Sequence, residues 1–281
     1  MLEKEIISWF KKNQRDLPWR KTDTWGVLVS EFMLQQTPVN RVLPVYTEWM
    51  KRWPTPAKLA KATPAEVITA WGRLGYPRRA LRLHAAAQII SEDFNNKVPE
   101  DQETLQLLPG IGEYTAAAIA AFAFEQRSLV MDVNIRRLLV RAIDGEEHPK
   151  PAPTAKEKTR RLAILPTKNA HVWAAATMEL GALVCTSKNP SCELCPIIGQ
   201  CQWRKNGYPK TDLVRKSQDW HGTDRKCRGT IVQALRDNES LTESAIKKLW
   251  PDESQVEKAL KTLLEDQLIQ ALHRRRYRLP Q

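Results

Sequence analysis

The chain has 281 residues, room for about two domains with a real core each, and too many for a lone finger or a short peptide. Lysine and arginine number 44 against 32 aspartates and glutamates, giving a net charge of +12 and a pI near 9.6, a sign that favours a polyanionic partner. Hydrophobic residues make up 42% of the chain, too many for a disordered basic tail, and no run of 18 apolar residues occurs, so no membrane partner is expected.

The N-terminal stretch MLEKEIISWFKKNQRDLPW carries Glu3 and Glu5 early and no apolar run ending in small residues. It does not read as a secretory signal, and a cytoplasmic protein is expected. Sparse glycine and a 3.6-residue period over most segments predict a mainly helical fold, with no strand before residue 265. Thr63-Pro64-Ala65-Glu66 and Thr154-Ala155-Lys156-Glu157 predict helix starts, each with a hydroxyl cap and a glutamate three residues on. The proline-rich stretch from His148 to Pro153 predicts a loop between two helical blocks.

Residues 203–228 are polar, basic and weakly periodic, which places a linker at 206–228 between a domain at 1–205 and a module at 229–281. In the tail, apolar stripes at Ile231, Ala234 and Leu235, at Ala245, Ile246 and Leu249, and at Val256, Ala259, Leu260, Leu263 and Leu264 predict three short helices. Leu268–Leu272 and Tyr277–Leu279 are expected to pair around His273-Arg274-Arg275-Arg276, giving a small winged-helix-like α+β module.

Four cysteines, Cys185, Cys192, Cys195 and Cys201, stand as C-x6-C-x2-C-x5-C within residues 185–201. In a reducing compartment such a set points to metal chemistry rather than disulfides. Structural zinc usually takes two tight ligand pairs, whereas one close pair between wider arms suits a cubane iron-sulfur cluster; the spacing leaves cluster, zinc and unliganded thiols all open. Cys227 lies apart and reads as an ordinary thiol.

Leu108-Pro109-Gly110-Ile111-Gly112 precedes an alanine-rich run from Tyr114 to Phe124. Pro109 ends one helix, and Gly110 and Gly112 let the backbone turn with amides open at the next helix's start, a site for phosphate without base reading. A plain helix-helix turn is the bland alternative. Asp132 follows an apolar run and is by default a helix cap. Glu31 sits inside the apolar stretch Val29–Leu34, where an ordinary solvated helix face is the competing explanation.

Taken in order, LPWR from Leu17, SEFMLQQT from Ser30, LGY from Leu74, LPGIGEYTAAA from Leu108, MDVNIRR from Met131 and the cysteine loop resemble the helix-hairpin-helix DNA glycosylases, specifically the MutY-type adenine glycosylases. The resemblance runs from about residue 5 to 205. It implies an all-α, two-lobed fold with a 4Fe–4S cluster held by Cys185, Cys192, Cys195 and Cys201. It makes Glu31 the acid that protonates adenine, and Asp132 the aspartate facing the sugar's developing cation. Such chemistry needs one carboxyl protonated and one ionised, and apolar neighbours are expected to raise the pKa of Glu31. Gln36 and Tyr76 match the family's inserted residues, which fill the stack when the base leaves the duplex.

DNA contacts are further expected at Thr37, Gly110, Gly112 and the tail arginines Arg274, Arg275 and Arg276. Tyr114 stands where strand-cutting relatives carry a lysine, so a monofunctional enzyme using water is implied. The implied partner is double-stranded DNA with a mismatch or an oxidised guanine, met by a monomer in the cytoplasm at the nucleoid. Two departures stand out. Val133 replaces a glycine common after the aspartate, and the 61 residues from 221 are too short for the domain that reads 8-oxoguanine in many members. A thymine-mismatch glycosylase, whose motif resembles LRRT where this chain has LQQT, and a non-catalytic DNA-binding protein are the competing readings.

Overall fold

A computed structural model describes residues 2–211 and 221–281. Helix α1 (Leu2–Asn13) starts with Glu3 and Glu5 and ends with Lys11 and Lys12, the charge order its dipole favours, and buries Ile6 and Phe10. Helix α2 (Thr24–Leu34) is entered through Asp23, whose Oδ1 accepts the Gly26 amide at 2.8 Å, and residues 25–33 are buried on every face. Helices α3 (Val39–Arg52), α4 (Pro56–Ala60), α5 (Pro64–Trp71) and α6 (Arg78–Asp93) follow. The Thr63 capping box is complete: Glu66 donates its amide to Thr63 Oγ1, and its carboxylate accepts the Thr63 amide.

Helices α7 (Gln102–Leu107) and α8 (Glu113–Phe124) flank the glycine turn, and α9 (Val133–Leu139) runs on into a π-helical turn at Val140–Asp144. Beyond the proline loop, Thr154 caps α10 (Ala155–Ala163), but the capping box expected there is only half made. Glu157 turns instead to Arg136, which donates from Nε and Nη2 at 2.8 Å in a buried fork. The stronger demand wins, because a buried guanidinium without its carboxylate costs far more than one capping bond. Helix α11 (Ala170–Leu183) crosses α9 at Gly181, where a Cβ would come within 2.5 Å of the Asn134 carbonyl. Short helix α12 (Gln202–Lys205) closes the cysteine loop.

The tail holds α13 (Asp224–Asp237), β1 (Leu241–Thr242), α14 (Glu243–Lys247), α15 (Glu253–Glu265), β2 (Gln270–Leu272) and β3 (Arg276–Arg278). The sheet order is β1-β3-β2, antiparallel, with Leu241 and Ala271 on either side of Tyr277. Three helices and a small hairpin are what the apolar stripes led one to expect. Two details differ. A strand does precede residue 265, but β1 has two residues and is too short to leave a period in the sequence. And α13 starts inside the segment read as linker, at Asp224, because Thr223 accepts the Lys226 amide as its cap; the linker's residues 212–220 lie outside the described residues. No helix among the described residues is long and apolar enough to cross a membrane.

The chain forms two compact units. One comprises the residues up to Glu31, Pro99–Leu107 and the stretch from Ile111 through the cysteine loop. Its core joins Ile6 and Phe10 of α1 to Ile135 and Leu138 of α9 and Trp173 and Leu180 of α11. The other comprises Phe32–Val98, Leu108–Gly110 and the described tail. There Ile68 of α5 lies in one core with Ile231 and Leu235 of α13 and Leu260 and Leu263 of α15.

Candidate active site

Three side chains of the first unit define its acidic centre. Glu31 is only 7% exposed, on a helix whose neighbouring side chains are almost all apolar. Burial, seconded by the negative charge of Asp132, pushes its pKa to about 8, so the carboxyl holds its proton at neutral pH. Asp132 is both a cap and a charge: its Oδ1 accepts the amides of Asn134 at 2.6 Å and Ile135 at 3.3 Å at the start of α9. Tyr114, in the first turn of α8, has its phenol pKa raised well above the ordinary value, by burial first and then by the nearby carboxyl groups of Glu31 and Asp132. The structure therefore brings together Glu31, Asp132 and Tyr114, three residues spread over a hundred positions of sequence. Val133, beside the aspartate, is 47% exposed.

The second unit carries two turns that present single side chains. Gln36 and Tyr76 both adopt left-handed backbone, with φ of 53° and 48°, a region that disfavours residues with a Cβ, and Tyr76 is 47% exposed. Arg79 holds both turns. Its Nη1 donates to the carbonyls of Phe32, Met33 and Gln35, its Nη2 to those of Leu74 and Gly75 and to Thr37 Oγ1. The guanidinium also lies over the rings of Trp71 and Tyr76, 5.3 and 5.6 Å from their centroids. Burial lowers its pKa to about 10, which leaves it charged at neutral pH. Nothing in the sequence marks this residue. An arginine after LGYPR reads as surface charge, and only its burial shows that it anchors the exposed pair.

Thr37, expected to touch DNA, is buried, and its hydroxyl bonds Arg79 and the Leu74 carbonyl, so its side chain shapes the turn from inside. Gly110 adopts φ of 88°, and a Cβ there would meet Phe32 and Arg82 at 2.8 and 2.9 Å, which explains the glycine. Gly112 caps α8 with open space beside it, as a turn with accessible amides requires. Of the tail arginines, Arg274 and Arg275 are exposed at the hairpin tip, whereas Arg276 is half-buried and donates to the Ser240 hydroxyl and carbonyl.

Cys185, Cys192, Cys195 and Cys201 line one cavity together with Leu138, Val184 and Ile197. All four are free thiols, as is Cys227, which is buried in the tail core. Arg141, in the π-helical turn, braces the loop: it donates to the Thr186, Ser187 and Glu147 carbonyls and comes within 3.4 Å of Cys185 Sγ. Like Arg79, it carries no signal in the sequence. Burial pushes the Cys195 thiol up to about 12. Among the described residues no three His, Cys, Asp or Glu side chains converge on a single-ion site.

A helix-hairpin-helix turn, a buried protonated acid and a second carboxylate at a helix start are the parts of an enzyme that opens glycosidic bonds in DNA. Residues 29–163 match the model of the HhH-GPD superfamily base excision DNA repair proteins. The chain is 45% identical over 272 residues to the adenine DNA glycosylase of Mycolicibacterium smegmatis, covering 95% of this chain and 92% of that one. Among solved structures it is similar to a thermostable thymine-DNA glycosylase (TM-score 0.67, 23% identity, 73% of this chain and 95% of that one). It is also similar to endonuclease III in a non-covalent DNA complex (TM-score 0.64, 18% identity, 74% and 96%). These structural likenesses are of fold. The chain belongs to the HhH-GPD superfamily and, within it, to the adenine DNA glycosylases of base excision repair.

Proposed function

We propose that this protein removes adenine mispaired with 8-oxoguanine or guanine in duplex DNA, hydrolysing the N-glycosidic bond and leaving the strand uncut. The observation that carries the reading is the Glu31 carboxyl, protonated at neutral pH in an apolar helix and facing the charge of Asp132. With the adenine turned out of the stack, Glu31 gives its proton to a ring nitrogen. The glycosidic bond then breaks with its electron pair leaving on the base, and Asp132 stabilises the cationic sugar. Water adds its oxygen to the anomeric carbon and loses a proton. Tyr114 has no amine to form a Schiff base, so the abasic strand stays intact. Tyr76 and Gln36, presented outward by Arg79, fill the gap in the stack, and the open amides after Gly112 hold a phosphate.

Cys185, Cys192, Cys195 and Cys201 would hold a 4Fe–4S cluster. Four free thiols around one cavity, with a guanidinium beside them to offset thiolate charge, fit that group. When bound, it supplies a rigid brace for the loop that exposes Lys188, Arg204 and Lys205 as backbone contacts. The partner is duplex DNA, met by a monomer in the cytoplasm at the nucleoid.

A panel of end-labelled duplexes, incubated with the protein and then treated with alkali, tests this. Alkali-dependent breaks at adenine opposite 8-oxoguanine and guanine are expected. Breaks at thymine opposite guanine would assign the thymine-mismatch activity instead, and breaks without alkali would contradict the role given to Tyr114.

A further inference from the structure

The chain leaves the cysteine loop through α12, which is one turn long and ends in a Schellman closure. The Tyr208 amide donates to the Trp203 carbonyl at 2.9 Å, and the Gly207 amide to that of Arg204 at 3.0 Å. Gly207 supplies the left-handed residue that such an ending needs, with φ of 74°. The closure also brings its first and last side chains together: the rings of Trp203 and Tyr208 meet edge to face, with centroids 4.9 Å apart. Trp203 is buried, its Nε1 donates to the Pro209 carbonyl, and the Arg141 guanidinium lies over its ring at 4.5 Å from the centroid. Tyr208 itself has φ of 60°, a left-handed backbone that a helix ending does not require at this position. Its phenol lines the four-cysteine cavity, where the hydroxyl is hydrogen-bonded to Cys192. The residue is also 38% exposed, so it stands between the cysteines and solvent.

We propose that Tyr208 is a fifth residue of the cofactor site: it closes the outer side of the four-cysteine cavity, donates its hydroxyl to the Cys192 sulfur, and keeps water and small solutes from the cluster. This rests on the reading of the four cysteines as ligands of a 4Fe–4S cluster. Arg141 serves Cys185, and Trp203 links that arginine to the tyrosine. Cys192 opens a 3-10 turn whose Leu194 is 66% exposed, which puts this ligand on the solvent side of the loop. A thiolate there gains most from a donor and from a ring that displaces water. The hydrogen bond spreads the sulfur's negative charge, and the ring limits access to the irons. Those are two of the means by which a protein sets the stability and the potential of such a group.

The test follows iron release from the purified holoprotein to bathophenanthroline, read by the absorbance of the iron chelate, in the parent, Tyr208→Phe and Tyr208→Ala. Groups that support metal ligands are typically worth about 10–100-fold in metal retention, so Tyr208→Ala should release iron at least about tenfold faster than the parent. Tyr208→Phe keeps the ring and its contact with Trp203 and loses only the hydroxyl, so its rate should fall between the two. The cluster's potential, measured by voltammetry of the holoprotein, is the readout that a loosened loop end would not mimic. Losing a donor to a thiolate favours the oxidised form, so Tyr208→Phe should shift the potential to a lower value. Parental iron release in Tyr208→Ala, or an unshifted potential in Tyr208→Phe, overturns this proposal while leaving the cluster assignment standing. A parent protein purified without iron overturns the cluster assignment, and the placement of Tyr208 with it.

Discussion

Glu31 owes its proton to its position on a helix buried all round. A glutamate titrates near 4.5 in an unfolded chain and near 8 here. Between those values the unfolded chain gives up the proton while the folded one keeps it. The group's contribution to stability is therefore full below about pH 4.5 and declines as the pH rises toward 8. At pH 7.5 the loss is on the order of 4 kcal/mol. Glu31→Gln keeps the shape and never ionises, so it should melt higher than the parent at pH 7.5, bind mismatched duplex and excise nothing. In the parent, single-turnover excision should fall as the pH rises through about 8, where the proton donor is lost. An unchanged melting temperature in Glu31→Gln, or excision that holds steady well above pH 8, would contradict this account.

At the scale of an element, the cysteine loop shows how a segment with little secondary structure is held. Two short 3-10 turns, Cys192–Leu194 and Ile198–Gln200, are its regular pieces before α12. The rest is tied down by Arg141 and by Arg137, which donates to the carbonyls of Cys185 and Gly181. Such a loop buries little apolar surface of its own, so a bound group should contribute much of its order. Purified protein is expected to be yellow-brown, with about four irons per chain and no stoichiometric zinc. Cys192→Ser should lower the yield of folded protein and its affinity for duplex together. Colourless, active protein with one zinc per chain would overturn the cluster assignment.

For the whole molecule, the tail is not a detachable accessory. Ending the chain at residue 220 uncovers Ile68, Ala65 and Leu81 and removes the partner of Arg78. Restoring those apolar groups to water costs roughly 2–4 kcal/mol. The truncated chain should melt lower and aggregate more readily than the full one. Equal melting temperatures would show that the tail core and the α5 surface are independent.

Helical class, the tail's three helices and hairpin, the Thr63 cap and the cysteine spacing were all legible in the sequence, because each depends on residues within a turn or two of one another. Glu31, Asp132 and Tyr114 could be named from motifs, but a carboxylate in an apolar run reads equally well as a solvated helix residue. Burial on all sides, which decides its protonation, is a property of packing. Arg79 and Arg141 were silent for the same reason: an arginine's role depends on which carbonyls, rings and hydroxyls surround it, and those come from distant segments. The burial of Thr37 and the bonding of Arg276 to Ser240 could not be read from a motif, which carries no information on exposure. Glu157 left its local cap for Arg136 because a buried charge demands its partner more strongly than a helix end demands one bond. Local order was written in the sequence, while protonation, charge pairing and the exposure of each basic side chain were decided by tertiary contacts that set each group's access to water.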